Sequence, residues 1–365
     1  MSRLFEPLEL RETELPNRVF VSPMCQYSAS EGVATDWHLV HLGSRAVGGA
    51  GVVLSEATAV SPAGRISPGD LGIWNEEQAE ALGRIASFVA DQGSVPGIQL
   101  AHAGRKASTA PPWDGGSPVS PEADGWTALG PSEEPYPRDG DEQPTRRLST
   151  DEVETVVDQF RAAAERARDA GFRIAEVHAA HGYLLHEFLS PVTNDRTDRY
   201  GGDFQSRTRL LREVTAAVRE VWPDGDPVFV RISATDWLDD RESWTVADSA
   251  RLAPTLAEAG ADLIDVSAGG ISPAQSVPQT GPGYQVPYAE TIREHLREEG
   301  VDLAVGAVGG ITEPTQAEQL LANDRVDAVA MAREFLRSPY WPLHAADELD
   351  DPEGVDVPVQ YRRGF

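Results

Sequence analysis

Two histidines and a tyrosine fall within one short segment, His178-Ala179-Ala180-His181-Gly182-Tyr183. Imidazoles three positions apart can aim their N–H donors at a single oxygen atom. A phenol two residues later can stand beside them with a proton to give. Together they could polarise a carbonyl and protonate a neighbouring carbon. Two other readings are open: a pair of metal ligands, which would need a further carboxylate, Cys or His close in space, or satisfied structural histidines.

Other residues suggest what such a trio would work beside. Val308-Gly309-Gly310-Ile311 and Met331-Ala332-Arg333 each follow an apolar run. Glycine lets backbone N–H groups approach a phosphate closely, and an arginine adds a charge-assisted fork; the alternative is two tight turns and a surface arginine. Arg231 ends the apolar run Pro227-Val228-Phe229-Val230, and Gln99 lies near the end of Pro96-Gly97-Ile98-Gln99-Leu100. A buried arginine needs an anionic or carbonyl partner, and a glutamine amide both donates and accepts. With the backbone of Ser22-Pro23-Met24-Cys25, these groups could read the polar edge of a flat heteroaromatic ring. Flavin mononucleotide (FMN) has such a ring and one phosphate.

The elements that must carry these residues alternate along the chain. Short apolar runs predict strands at 18–22, 51–55, 96–100, 173–178, 227–231, 261–266, 302–306 and 326–330. Helical periodicity, with acids in first turns and glycine at ends, predicts helices at 35–47, 76–91, 150–171, 205–221, 245–259, 287–299 and 313–322. Eight strands alternating with helices make a single-domain (β/α)8 (TIM) barrel over residues 1–365, whose chemistry gathers at the C-terminal strand ends. The candidate phosphate turns then follow strands seven and eight, where this barrel class binds phosphate. An open doubly wound sheet would need a glycine fingerprint after its first strand, and Pro23-Met24-Cys25-Gln26 is not one. Residues 103–147, rich in Pro, Gly, Ser and Asp, are expected to form an excursion over the barrel mouth.

Composition narrows the function classes. The chain has 59 acidic and 31 basic residues, a formal charge of −28, and one lysine, Lys106. Such a field repels phosphate and argues against nucleic acid as a partner. It is tolerable where salt cuts the Debye length to about 3 Å, so a high-salt cytoplasm is expected; an acidic protein from a GC-rich genome is the plainer explanation. No apolar run of membrane-spanning length and no signal-peptide core occur, so a cytoplasmic protein without membrane partners is expected. The single cysteine, Cys25, excludes an internal disulfide and a cysteine-ligated iron–sulfur cluster within one chain.

The segments Ser22-Pro23-Met24-Cys25-Gln26-Tyr27-Ser28, Glu56-Ala57-Thr58, Gln99-Leu100-Ala101-His102-Ala103-Gly104-Arg105-Lys106 and His178–Tyr183 resemble, in order, the old yellow enzyme family of flavin-dependent ene-reductases, in particular its thermophilic-like branch. The resemblance continues through His186–Pro191, Asn194–Gly202, Val230–Ser233 and the tail Gln360–Phe365. It implies bound FMN, NADPH or NADH as hydride donor, an α,β-unsaturated carbonyl (enone) substrate and no metal. It assigns Ser22, Pro23, Met24, Cys25, Ala57, Gln99 and Arg231 to the flavin ring and ribityl chain. Ala332, where the family commonly has glycine, and Arg333 match its phosphate-binding pair, beside Gly309 and Gly310. His178 and His181 match the residues that bind the substrate oxygen, and Tyr183 the proton donor. Cys25 and Tyr27 fall on the substrate side. Arg363, next to Arg362, matches an arginine that reaches a neighbouring subunit's site, so the tail 345–365 is expected to contact a second copy in a dimer or tetramer. Two alternatives keep the flavin but change the role: an oxidase or demethylase in which Tyr183 is idle, and a non-enzymatic flavin-binding protein.

Overall fold

Parallel strands with short, mostly apolar sequences are satisfied only when both faces are covered, and eight of them close on themselves here. The computed structural model describes residues 2–138 and 143–364. Its barrel strands are β1 (Val19–Val21), β2 (Val52–Ala59), β3 (Val95–Ala101), β4 (Ile174–Ala179), β5 (Val228–Ser233), β6 (Leu263–Ser267), β7 (Ala304–Val308) and β8 (Ala328–Met331). Each pairs in parallel with the next, and β8 returns to β1. Helices between them, such as Asp36–Val47, Glu76–Asp91 and Thr150–Asp169, form the outer layer. Several begin with reciprocal capping boxes, among them Asn75 with Gln78 and Ser149 with Glu152.

The period-two alternation of each strand sorts its side chains. Ala175 and Val177 face the helices, whereas Ile174, Glu176 and His178 have the opposite parity and face inward. The lower barrel interior is an apolar plug that includes Phe20, Val52, Leu54, Ile174, Phe229 and Leu263. Leu10 and Leu15 close it from below. They come from an N-terminal hairpin, Leu8–Leu10 with Thr13–Leu15, that the eight-strand pattern does not anticipate. Its strands are three residues long, too short to show a period.

Other boundaries differ locally. The helix expected at 205–221 is two, Phe204–Arg207 and Arg209–Val221, because the chain turns at Thr208. Strand β5 runs on to Ser233, two residues past the apolar run, since Ser233 still pairs with Ser267. Within 103–147, the short strands Ala128–Gly130 and Thr145–Arg147 pair with each other. Ala103, Ala107 and Ala128 pack against Ala57 and Ala101 at the strands' C-terminal ends; residues 139–142 of this segment lie outside those described. The tail takes the other end of the molecule. Residues 353–360 and Arg362 line a cleft with Asn17, Ala50 and Ser94, which lie before β1, β2 and β3. No helix of the described residues is long and apolar enough to cross a membrane.

Candidate active site

His178 is the last inward-facing residue of β4, paired in register with Arg231 on β5. The chain then turns sharply. His181 sits at φ 60° and Gly182 at φ 72°, a region that strains any residue but glycine. Several contacts enforce the turn. The backbone N–H of His181 donates to Ser233 Oγ at 2.9 Å, and Lys106 Nζ donates to the carbonyls of His181 and Gly270, each at 2.8 Å. A Cβ on Gly182 would lie 2.2 Å from the Gly270 oxygen. The turn brings the His181 ring edge-on to His178, with centroids 5.2 Å apart, and the Tyr183 ring edge-on to His178 at 5.1 Å.

Protonation follows from this burial. His178 Nδ1 accepts the N–H of Ala180 at 3.3 Å, so in the neutral ring Nε2 carries the proton and donates. His181 Nε2 shares a hydrogen bond with Ser267 Oγ at 2.8 Å. Burial, and then the Arg231 charge, hold both imidazoles well below the usual histidine range. Both rings are therefore neutral near pH 7. Burial pushes the Tyr183 phenol well above its ordinary value, helped by Cys25 and Tyr27, so it keeps its proton. The Lys106 ammonium, also desolvated, is pulled down to about 7, with Glu187 opposing the shift. Burial, then the carboxylates of Asp70 and Glu56, push the Cys25 thiol up, which makes it a poor nucleophile. Among the described residues, no group of three or more His, Cys, Asp or Glu is placed to hold a metal.

Beside this corner lies a cavity of about 440 Å3. Its lining brings together His181, Arg231, Ser267, Gly309, Gly310, Ala332 and Arg333, residues from five separate stretches of chain. Gly309 and Gly310 stand at φ 114° and 68°; added Cβ atoms would lie 2.4 Å from the Gln285 amide and 2.3 Å from the Gly281 oxygen. Only glycine fits this lip. Arg333 pairs with no carboxylate among the described residues. A glycine cradle with an uncommitted guanidinium suits a phosphate, and a basic side wall suits the polar edge of a ring, so these residues fit FMN.

The remaining expected site residues are placed as follows. Ser22 Oγ accepts from Arg231 Nη1 at 2.8 Å. Pro23 and Met24 continue from β1 as half-buried residues. Ala57, Cys25, Tyr27 and Tyr183 pack in one small cluster with Trp126. Gln99 is buried, and its amide nitrogen is engaged by Glu176 at 2.7 Å. Arg363 is exposed in the tail at the opposite end of the barrel, so one chain does not bring it to its own site.

Sequence reasoning overlooked Lys106, Glu176, Ser233, Asp265 and Ser267 as members of the site. One signal was available for two of them: Glu176 has the same strand parity as His178, and Ser233 the same as Arg231. Asp265 and Ser267 are set opposite Arg231 and Ser233 by the β5–β6 register, which the sequence does not show. For Lys106 there was none, because its contacts are with loops after β4 and β6.

Residues 3–352 match the family model described as the NADH:flavin oxidoreductase / NADH oxidase family. An NADPH dehydrogenase from Geobacillus sp. (strain WCH70) is 45% identical over 99% of this chain and 98% of its own. Morphinone reductase superposes with a TM-score of 0.77 at 28% identity, covering 95% of this chain and 90% of that one. A 2-naphthoyl-CoA reductase superposes with a TM-score of 0.83 at 25% identity over 96% of this chain, which spans 53% of that protein's length.

Proposed function

This chain belongs to the NADH:flavin oxidoreductase / NADH oxidase family, and from that premise we propose that it is an FMN-dependent ene-reductase, using NADPH or NADH to reduce the activated C=C bond of α,β-unsaturated carbonyl compounds. FMN, when bound, supplies the two-electron store between nicotinamide and substrate. Gly309, Gly310, Ala332 and Arg333 would hold its phosphate; Arg231 and the Ser22–Cys25 strand end would hold its ring.

The protein's own groups do the rest. His178 donates a hydrogen bond from its Nε2–H to the substrate carbonyl oxygen. With Ser267 donating to Nε2 of His181, the second ring carries its proton on Nδ1 and supplies another donor. Two fixed donors stabilise negative charge that grows on that oxygen as the β carbon accepts hydride. Tyr183 then gives its proton to the α carbon, and its raised pKa keeps that proton in place until a carbanion-like centre appears. Tyr27 and Cys25 shape the substrate side. The observation that carries this reading is the packing of Tyr183 on His178 at 5.1 Å, which sets a half-buried proton donor beside a buried, neutral N–H donor.

Three further parts belong to the same proposal. The chain assembles as a dimer or tetramer, with Arg363 of one copy completing the site of another. It works in the cytoplasm, and its charge suits molar salt. Anaerobic titration of the FMN-loaded protein tests the chemistry: NADPH or NADH should bleach the flavin band and cyclohexenone should restore it. Bleaching by an amine or a hydroxy acid, with cyclohexenone inert, would overturn it in favour of an oxidase.

A further inference from the structure

Four polar residues from neighbouring strands face one another in the barrel interior above the apolar plug, with Arg231 in register with His178. Gln99 on β3 stands opposite Glu176 on β4, and Arg231 on β5 stands opposite Asp265 on β6. None is more than 5% exposed. Gln99 Nε2 donates to Glu176 Oε1 at 2.7 Å. Arg231 Nη1 is committed to Ser22, and its Nε faces Asp265 Oδ2 at 3.3 Å without hydrogen-bond alignment. Among the described residues, both Asp265 oxygens and Glu176 Oε2 make no hydrogen bond at all.

Two carboxylates against one guanidinium would leave a net negative charge and three orphaned oxygens in a dry interior, which is strongly unfavourable. One proton held between the carboxylates removes the net charge and supplies a donor. Burial and the Asp265 charge push the Glu176 carboxyl up to about 8, so Glu176 carries that proton at neutral pH. Burial raises Asp265 too, but the Arg231 charge opposes the shift. The ionised carboxylate is thus the one facing Arg231. Arg231 lines the cavity on its other side.

We propose that Asp265 and Glu176 are positioning residues: holding one proton between them, they set how much of the Arg231 charge meets the bound FMN ring, and through it the redox potential of the cofactor. This rests on the FMN reading of the cavity. A bare cation beside the ring favours its electron-rich form, whereas an ion-paired one does so less.

The midpoint potential of bound FMN at pH 7 tests this, measured by spectroelectrochemistry on the full-length FMN-loaded protein. Asp265→Asn with Glu176→Gln leaves Arg231 without a counter-charge. The potential should rise by at least a tenfold change in relative affinity for reduced over oxidised cofactor, about 30 mV for a two-electron couple. Asp265→Asn alone should give a smaller rise, because Glu176 can then ionise in its place, and Asp265→Glu should return the potential towards wild type. A double variant that keeps FMN at the wild-type potential overturns the proposal and leaves the FMN reading intact. Should the double variant not fold, Asp265→Asn alone decides, since an unmoved potential overturns the proposal. Wild-type protein that takes up no FMN overturns both.

Discussion

Lys106 Nζ donates to the carbonyl of His181 at 2.8 Å and thereby ties down a histidine held at φ 60°. A non-glycine residue there costs about 1–3 kcal/mol, and persists only where its surroundings over-determine it. Lys106 is the only lysine of a chain that otherwise uses arginine. It sits between two carbonyls and two tyrosine rings, 4.6 Å from the centre of Tyr136 and 5.5 Å from that of Tyr183, where a small tetrahedral donor fits better than a planar fork.

Lys106→Met should therefore loosen His181 while replacing no residue that itself lines the cavity. Phenol binding, followed by its perturbation of the flavin spectrum, is expected to weaken by about 1.5–3 kcal/mol, the worth of hydrogen bonds to a charged group. Flavin reduction by NADPH should stay near wild type. Unchanged phenol affinity would mean that Ser233 and Gly270 hold the turn unaided.

Tyr183→Phe removes the proton donor and little else. The rate of flavin re-oxidation by cyclohexenone should fall by about 10²–10⁴-fold, the usual worth of a positioned acid, with the nicotinamide half-reaction intact. Stopped-flow measurement of the two half-reactions separates them. An unaltered enone rate would assign the proton to water.

The histidine pair makes a pH prediction. Both rings are held well below the ordinary value of 6.5 by burial and then by Arg231. Lowering the pH from 8 to 6 should leave the enone half-reaction without a titration near 6.5. A lowered histidine contributes stability above the unfolded-state value, and loses it as the unfolded chain takes up protons below about 6.5. The fold should weaken in that range although the site stays neutral. An inflection of the enone rate at 6.5 that persists in Lys106→Met, where the ammonium held at about 7 is gone, would show that at least one ring is charged.

Asp70 behaves in the opposite sense. Its Oδ2 accepts from Ile66 N at 2.6 Å and Ser67 N at 3.2 Å, and burial, assisted by Glu56, pushes its carboxyl up to about 8. The folded chain then holds a proton that the unfolded chain releases near 4, so stability falls as pH rises from 4 to 8 and levels off above. Asp70→Asn mimics the protonated form. Its stability relative to wild type should grow across that window by up to about 1.4 kcal/mol per pH unit, read from urea denaturation at pH 4.5, 6 and 8. A difference independent of pH would place the Asp70 charge elsewhere.

Assembly should depend on salt. With 59 acidic residues against 31 basic ones, two copies repel until ions screen them. Light scattering is expected to show a dimer or tetramer in molar salt that dissociates, with loss of FMN, at low salt. Deleting residues 361–365 should impair enone turnover. A monomer fully active at every salt concentration would remove both the shared site and the halophilic reading.

Much of this was decided by residue order alone. The strands fall on the apolar runs, and period two sends Glu176 and His178 to one face and Val177 to the other; this is local geometry, the same in any sheet. Gly309 and Gly310 announce their turns because no other residue adopts them cheaply in so tight a place. The tertiary structure decided what those faces meet. Barrel closure and strand register set Gln99 against Glu176 and Arg231 against Asp265, pairings between residues 77 and 34 positions apart. The loop after β3 carries Lys106 onto the turn after β4, and the tail carries Arg363 to the far end of its own barrel. Such contacts depend on how distant segments pack, and local patterns carry no record of it: burial, and with it the neutral imidazoles and the shifted carboxyls, arises only once the barrel has closed.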